Sequence, residues 1–275
     1  MHDHFSEVAA SYNELRTTDP EPVQFITDIL GKRRSLRAID VACGGGRYSL
    51  LLCQSLPGLE LILNDVNASM LAQAARHLSE NGITRFSSIQ ADIAHLALPD
   101  GGLDAAFVFN AVHLFDATLL VEKIARALRA GGYLFIYTRL SSHNAESIWG
   151  RHFPGFAEKE DRLYSLDDIE SWADEANGLT PPSVHRFRYR RRATLARLLS
   201  QARRKHYSTF SLYTPAELDR ALAEFERNLR ASFKDPQRIE WSDENVMIVF
   251  RKGAIRPGVT GQPVTPAVVR TIPLK

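Results

Sequence analysis

The stretch Ala38-Ile39-Asp40-Val41-Ala42-Cys43-Gly44-Gly45-Gly46-Arg47-Tyr48 constrains this chain more than any other. An apolar run reads as a buried parallel strand, and it stops at glycines that hand over to a helical pattern starting near Tyr48. Glycine suits such a turn because a side chain would hold a ligand away from the backbone, and because some positions need positive φ. The bare N–H groups and the start of the next helix then offer donors to a carboxylate, a sugar or a phosphate. Asp40, near the strand end, can accept from an amine or hydroxyl. The next apolar run, Leu59 to Asn64, ends in Asp65, the strand-end acid expected where a ribose is gripped through its hydroxyls. The glycine spacing is not the Gly-x-Gly-x-x-Gly of dinucleotide enzymes, because Ser49 stands where the third glycine would be.

The chain has 275 residues, enough for one large α/β domain or a core plus a cap. Its 44% apolar and 24% charged content are those of an ordinary water-soluble protein. No apolar run reaches the length of a membrane span, and the N-terminus lacks a basic and apolar signal segment. The only cysteines, Cys43 and Cys53, lie too close along the chain to suggest a disulfide, so a reducing cytoplasm is expected. A net charge of +2 implies no general attraction to nucleic acid.

Asp40-Val41-Ala42-Cys43-Gly44-Gly45-Gly46 resembles motif I of class I S-adenosylmethionine-dependent methyltransferases, with Ala42 where the first glycine is usual. The resemblance implies S-adenosyl-L-methionine as cofactor and a small-molecule substrate. It also implies a fold: α/β, a doubly wound Rossmann-like seven-stranded sheet, with an N-terminal lid helix and a helical cap inserted before the last strand. Residues 4 to 16 can form a helix with Phe5, Val8, Tyr12 and Leu15 on one face. That segment is similar to the lid of small-molecule methyltransferases, which implies that Tyr12 and Arg16 close over the cofactor; a plain packed terminal helix is the alternative. The cofactor-binding residues implied are Tyr12, Arg16, Asp40, Ala42, Cys43, Gly44, Asp65, Val66, Met70, Asp92, Ile93 and Asn110. Asp92 follows the third strand, where the family places an acid that bonds the adenine amine, with Ile93 against the ring; a loop or capping aspartate is the bland reading.

Alternating strands and helices through about residue 140 predict the parallel sheet. Strands are expected at 85–90, 105–109, 133–138, 184–190 and 246–251, the last antiparallel as in the family. Residues 139 to 161 have no clear period and read as a long loop with at most one helical turn. Ser165-Leu166-Asp167-Asp168 is a capping box. Two helices are expected in 193–236, one burying Leu195, Leu198, Leu199 and Ala202, the other starting at the capping box Thr214-Pro215-Ala216-Glu217. The expected units are 1–192, core with lid; 193–236, cap; 237–252, final strand of the core; and 253–275, a flexible tail.

Methyl transfer from a sulfonium is an in-line displacement at carbon, so alignment and exclusion of water matter most. His113, after the fourth strand, is the first candidate base, and His143 its rival, since an imidazole titrates near neutrality. His113, His143, Trp149, Tyr207 and Tyr213 are the candidate substrate contacts. The segment 176–216 contains no Asp or Glu but nine arginines and lysines, which could meet RNA phosphates, an anionic small molecule, or only water. No His/Cys cluster has metal-ligand spacing, so no metal is expected. The chain is expected to act as a monomer or homodimer, off the membrane. Three rivals stand beside methyl transfer to a small, anionic or aromatic acceptor: an RNA methyltransferase, an enzyme that transfers or cyclises another carbon arm of the sulfonium, and a cofactor-binding protein without turnover.

Overall fold

The structure is a computed structural model that describes residues 16–31, 33–175, 178–253 and 269–271. Proline in its first turn starts α1 (Glu21–Leu30), which leads into β1 (Leu36–Val41). There follow α2 (Arg47–Ser55), β2 (Leu59–Asp65), α3 (Ala68–Glu80), β3 (Phe86–Gln90), β4 (Leu103–Phe109), α4 (Ala117–Ala127) and β5 (Leu128–Thr138). After three short helices, α5 (Ser141–Glu146), α6 (Ile148–His152) and α7 (Phe156–Lys159), come α8 (Leu166–Glu175) and β6 (Ser183–Ala193). The chain continues through α9 (Leu195–Arg203) and α10 (Pro215–Ser232) to β7 (Ile239–Arg251) and β8 (Val269–Thr271).

One sheet orders these strands β3-β2-β1-β4-β5-β7-β6-β8. The first five pair in parallel, β7 runs antiparallel between β5 and β6, and the expected doubly wound order is complete. β1 and β4, in the middle, are apolar on both faces and almost wholly buried. Side chains alternate across β2: Leu61 and Leu63 pack with α1, α2 and α3, and Ile62 with α4 and α8 on the other face. The beginning of α3 is fixed by Asn67, whose side chain accepts from the N–H groups of Ser69 and Met70. Gly46 lets α2 approach α3, since a Cβ there would lie 3.0 Å from Ala74.

Four expectations are corrected. Residues 139–161 are not a loop but carry α5, α6 and α7, whose Trp149, Phe153 and Phe156 join α9 and α10 in a third apolar cluster. The cap is therefore built from both sides of β6 in sequence. β5 and β7 begin earlier than their apolar runs, at Leu128 and Ile239. Within the expected tail, residues 269–271 pair in parallel with β6. The lid helix, Tyr12 included, lies outside the described residues except for Arg16.

Candidate functional site

Right-handed crossovers leave a crevice at the C-terminal ends of parallel strands. A cavity of about 810 Å³ occupies it here, running from the ends of β1, β2 and β3 to the underside of the cap. That volume suits a small-molecule site.

The glycine turn forms the first wall. β1 ends, Ala42 and Gly44 take φ 53°, and Gly46 takes 75°. The N–H of Cys43 donates to Asn64 O at 2.9 Å, which ties the turn to β2. Asp65 is buried at the end of β2, where its Oδ2 accepts from Gly44 N–H at 2.9 Å and its Oδ1 from Asn67 N–H at 2.8 Å. Each carboxylate oxygen has a second lone pair, so the acid can still accept from a ligand. Asn64 holds the neighbouring loop, donating through Nδ2 to Ile89 O and Ala91 O at 3.1 and 2.9 Å. Beyond lie Val66, Met70, Asp92, Ile93 and, from β4, Asn110, all on the cavity. Val66 is 40% exposed, an apolar surface facing open space. Asp92 is exposed and caps its own turn, accepting from His95 N–H at 2.9 Å, with its pKa held below the usual carboxylate range by the bond to the His95 ring.

Asp40 and Cys43 do not reach the cavity; they sit behind the turn. Asp40 accepts from Ser49 Oγ, and burial lifts its pKa to about 7, with the Ser49 bond opposing and the Asp65 charge adding. Its role is thus beneath the site rather than in it.

The second half is held by β5, β6, β7 and the cap. His113, on a single 3₁₀ turn (Val112–Leu114), lines the cavity with Nδ1 buried and without a partner. Burial lowers its pKa to about 4; the Glu160 charge opposes this, and Arg162 and Arg16 reinforce it. Glu160 accepts from Arg162 at 2.7 and 2.6 Å and from Thr209 Oγ1 at 2.5 Å, and these bonds outweigh burial to keep it below the ordinary value. Trp149 and Tyr207 face the cavity, with the guanidinium of Arg16 4.7 Å above the Tyr207 ring. Arg16, Thr17 and Asp19 also line the cavity, and their segment is pinned by Arg47 to Thr17 O and Thr18 Oγ1 and by Arg191 to Asp19.

Two expected residues are elsewhere. His143 lies outside the cavity, its Nε2 3.1 Å from Glu244 in a cluster with Arg186, on the face of β6 and β7 opposite Asp243. Tyr213 is buried in the cap, where it follows a 3₁₀ turn (Ser208–Leu212) and donates to Pro154 O at 2.7 Å. Conversely, Tyr48, Arg139, Trp241, Asp243 and Asn245 line the cavity without having been singled out, and Arg191 lines it from the basic segment. The polar alternation Trp241, Asp243, Asn245 in a strand was the available signal.

The pattern of the methyltransferase-domain family matches residues 38–132, which contain the glycine turn, Asp65, Asp92 and Asn110. Residues 38–132 carry a methyltransferase domain. The demethylmenaquinone methyltransferase of Thermus thermophilus is 31% identical to this chain over 143 residues, 48% of this chain and 62% of the relative. The chain spans less than two thirds of the length of the curated relatives it matches first. Among solved structures, the YcgJ protein of Bacillus subtilis superposes with a TM-score of 0.62 at 17% identity, covering 85% of this chain and 99% of that one. The phosphoethanolamine N-methyltransferase 2 of Haemonchus contortus, solved with phosphomonomethylethanolamine and S-adenosylhomocysteine, gives 0.56 at 18% identity, over 85% of this chain and 52% of that one. At these identities, the structural likeness bears on the methyltransferase fold alone.

Proposed function

We propose that this chain uses S-adenosyl-L-methionine to methylate a small-molecule acceptor held beneath the cap. The observation that carries the reading is Asp65, a buried carboxylate at the end of β2 whose two oxygens are fixed by Gly44 and Asn67 N–H groups and still face the cavity. The residues around it fit the cofactor. Asp65 would hold ribose hydroxyls, Val66 and Ile93 would cover the two-ring base, and the glycine turn with Arg16 would meet the amino-acid end. When bound, the cofactor supplies an electrophilic methyl group.

What the chain itself contributes is orientation and dryness. Trp149 and Tyr207 wall the acceptor side, and Arg16, Thr17 and Asp19 add a further part of the wall. His113, neutral at pH 7, presents Nδ1 as an acceptor for an O–H or N–H of the substrate. With a pKa near 4 it is a weak base, so its part is to orient the nucleophile rather than to take its proton. The arginines of the β5–β6 side support an anionic acceptor, and Trp149 with Tyr207 an aromatic one. The likeness to a demethylmenaquinone methyltransferase supports a small molecule over RNA.

Calorimetry with S-adenosylhomocysteine tests the reading. Asp65→Ala should weaken binding by one to two orders of magnitude, since a bond to a charged acceptor contributes roughly 1.5–3 kcal/mol. Wild-type affinity in a folded Asp65→Ala protein would remove the acid from the site. Incubation with methyl-labelled cofactor and a metabolite extract, read by mass spectrometry, then finds the acceptor.

A further inference from the structure

The cavity contains a strip of polar side chains that alignment of a methyl group does not itself require. Trp241, Asp243 and Asn245 alternate along β7 and so share one face of the sheet, with Arg191 of β6 directly opposite Trp241. Tyr137 of β5 belongs to the same face, since its hydroxyl accepts from Asn245 Nδ2 at 2.8 Å. Arg139, two residues further, continues the row.

Three atoms of this strip are buried without a hydrogen bond: Trp241 Nε1, Asp243 Oδ1 and Asn245 Oδ1. Asp243 and Asn245 are each 8% exposed. Asp243 Oδ1 lies 3.3 Å from Arg139 Nη2, an ion-pair distance without hydrogen-bond geometry. Buried polar atoms are nearly always paired, so Trp241 Nε1 and Asn245 Oδ1, orphaned on one cavity wall on either side of the ion-paired Asp243, mark hydrogen bonds that a ligand completes.

Their chemistry narrows the ligand. Arg139 faces Asp243, Asp243 Oδ2 lies 3.5 Å from Arg191, and Arg191 holds Asp19 through two bonds of 2.8 and 2.7 Å. Two guanidinium groups and two carboxylates alternate, and the row is neutral. A neutral row offers little to a bare dianion. It matches a ligand end that presents an anion and a donor side by side. A guanidinium and an indole N–H serve a carboxylate, while the oxygens of Asp243 and Asn245 serve a hydroxyl or an amine.

We propose that the acceptor is a small acid with a hydroxyl or amino group beside its carboxylate. Arg139 and Trp241 hold the carboxylate, and Asp243 and Asn245 take the neighbouring donor. The proposal rests on the methyl-transfer reading and names the end of the acceptor that is held, not the atom that is methylated.

The test uses the full chain saturated with S-adenosylhomocysteine and ligand-observed NMR titrations of 2-hydroxybenzoate, benzoate, phenol and phenyl phosphate. The expected result is that 2-hydroxybenzoate binds about tenfold or more tighter than the other three, the increment of one good bond to a charged group. Trp241→Phe keeps the ring's bulk and removes the N–H. It should lower 2-hydroxybenzoate affinity about tenfold and leave S-adenosylhomocysteine affinity unchanged. Asn245→Ala, checked for folding by circular dichroism, should narrow the gap between 2-hydroxybenzoate and benzoate. Equal binding of benzoate, a preference for phenyl phosphate, or no binding by any of the four overturns the proposal. If S-adenosylhomocysteine itself does not bind, the cofactor reading fails instead, so the two failures are told apart.

Discussion

Ala42 and Asn110 hold left-handed backbone, φ 53° and 54°, at the ends of the adjacent strands β1 and β4, and both line the cavity. Asparagine tolerates that region, whereas alanine pays about 1 kcal/mol for its Cβ. Ala42→Gly relieves the clash at some cost in chain entropy, so a net gain of about 0.5 kcal/mol is expected in urea unfolding. A lower midpoint would show that the Ala42 methyl contributes packing that outweighs the strain. His113 carries a pH signature. Its folded pKa of about 4 lies below the ordinary 6.5, so its contribution to stability is complete above pH 6.5 and is lost as the pH falls through 4. His206, which burial holds low as well, acts in the same direction. Asp40, lifted to about 7, acts oppositely, its contribution fading as the pH rises from 3.8 through 7. His113→Gln should therefore lose less stability than the wild type between pH 6.5 and 4, by up to about 3 kcal/mol. Equal acid sensitivity in urea titrations at the two pH values would place the ring in contact with water. At this scale Asp65 and His113 were legible in the sequence, because a polar residue just past an apolar run sits at a strand's open end. Trp241, Asp243 and Asn245 were not, since polar alternation in a last strand looks like a face turned to solvent. Here the cap covers it.

Elements were readable where their periodicity ran long enough. The capping box at Thr214 is present, with Thr214 accepting from Glu217 N–H and Glu217 returning a bond to Thr214 N–H, and α10 follows for 18 residues. Ser165 and Asp168 make the corresponding reciprocal pair before α8. By contrast α5, α6 and α7 are four to six residues each, too short for a 3.6-residue period to declare itself. They exist through packing: the Trp149 ring lies 5.1 Å from that of Phe225, and Phe153 lies 5.0 Å from Phe210. Gly150 permits the sharp join between α5 and α6, since any Cβ would collide with the carbonyl of Asn144. A run of aromatic residues without a period was thus a packing code for a partner helix far along the chain. β5 and β7 begin before the apolar stretches read from the sequence because their ladder bonds extend further, and in β7 the added Asp243 and Asn245 are polar yet buried.

For the whole molecule, charge around the cavity is sorted on one side and mixed on the other. Asp65, Asp92 and Asp116 border it on the β3-to-β4 side, and Arg139, Arg191, Arg192 and Arg197 share the β5-to-β6 side with Asp19 and Asp243. Three members of the basic run that stood out in the sequence are held by acids: Arg186 and Arg188 pair with Glu244, and Arg191 with Asp19. Total cellular RNA should accordingly bind weakly in gel shifts at two salt concentrations, with a logarithmic salt slope shallower than about −3, the value for some four phosphate contacts on a single strand. A steeper slope would favour the RNA reading over a small acceptor. The order of strands was legible because alternating strands and helices admit few topologies; the ion pairs were not, since Arg191 and Asp19 are 172 positions apart. That separation sets a timetable. The family match ends at residue 132, by which point the glycine turn, Asp65 and Asn110 have all been synthesised. The row from Arg139 to Asp19 waits for β7, which is synthesised well after that point. Half the cavity is thus written early and half late, and mutation can rework the late half without disturbing the early one.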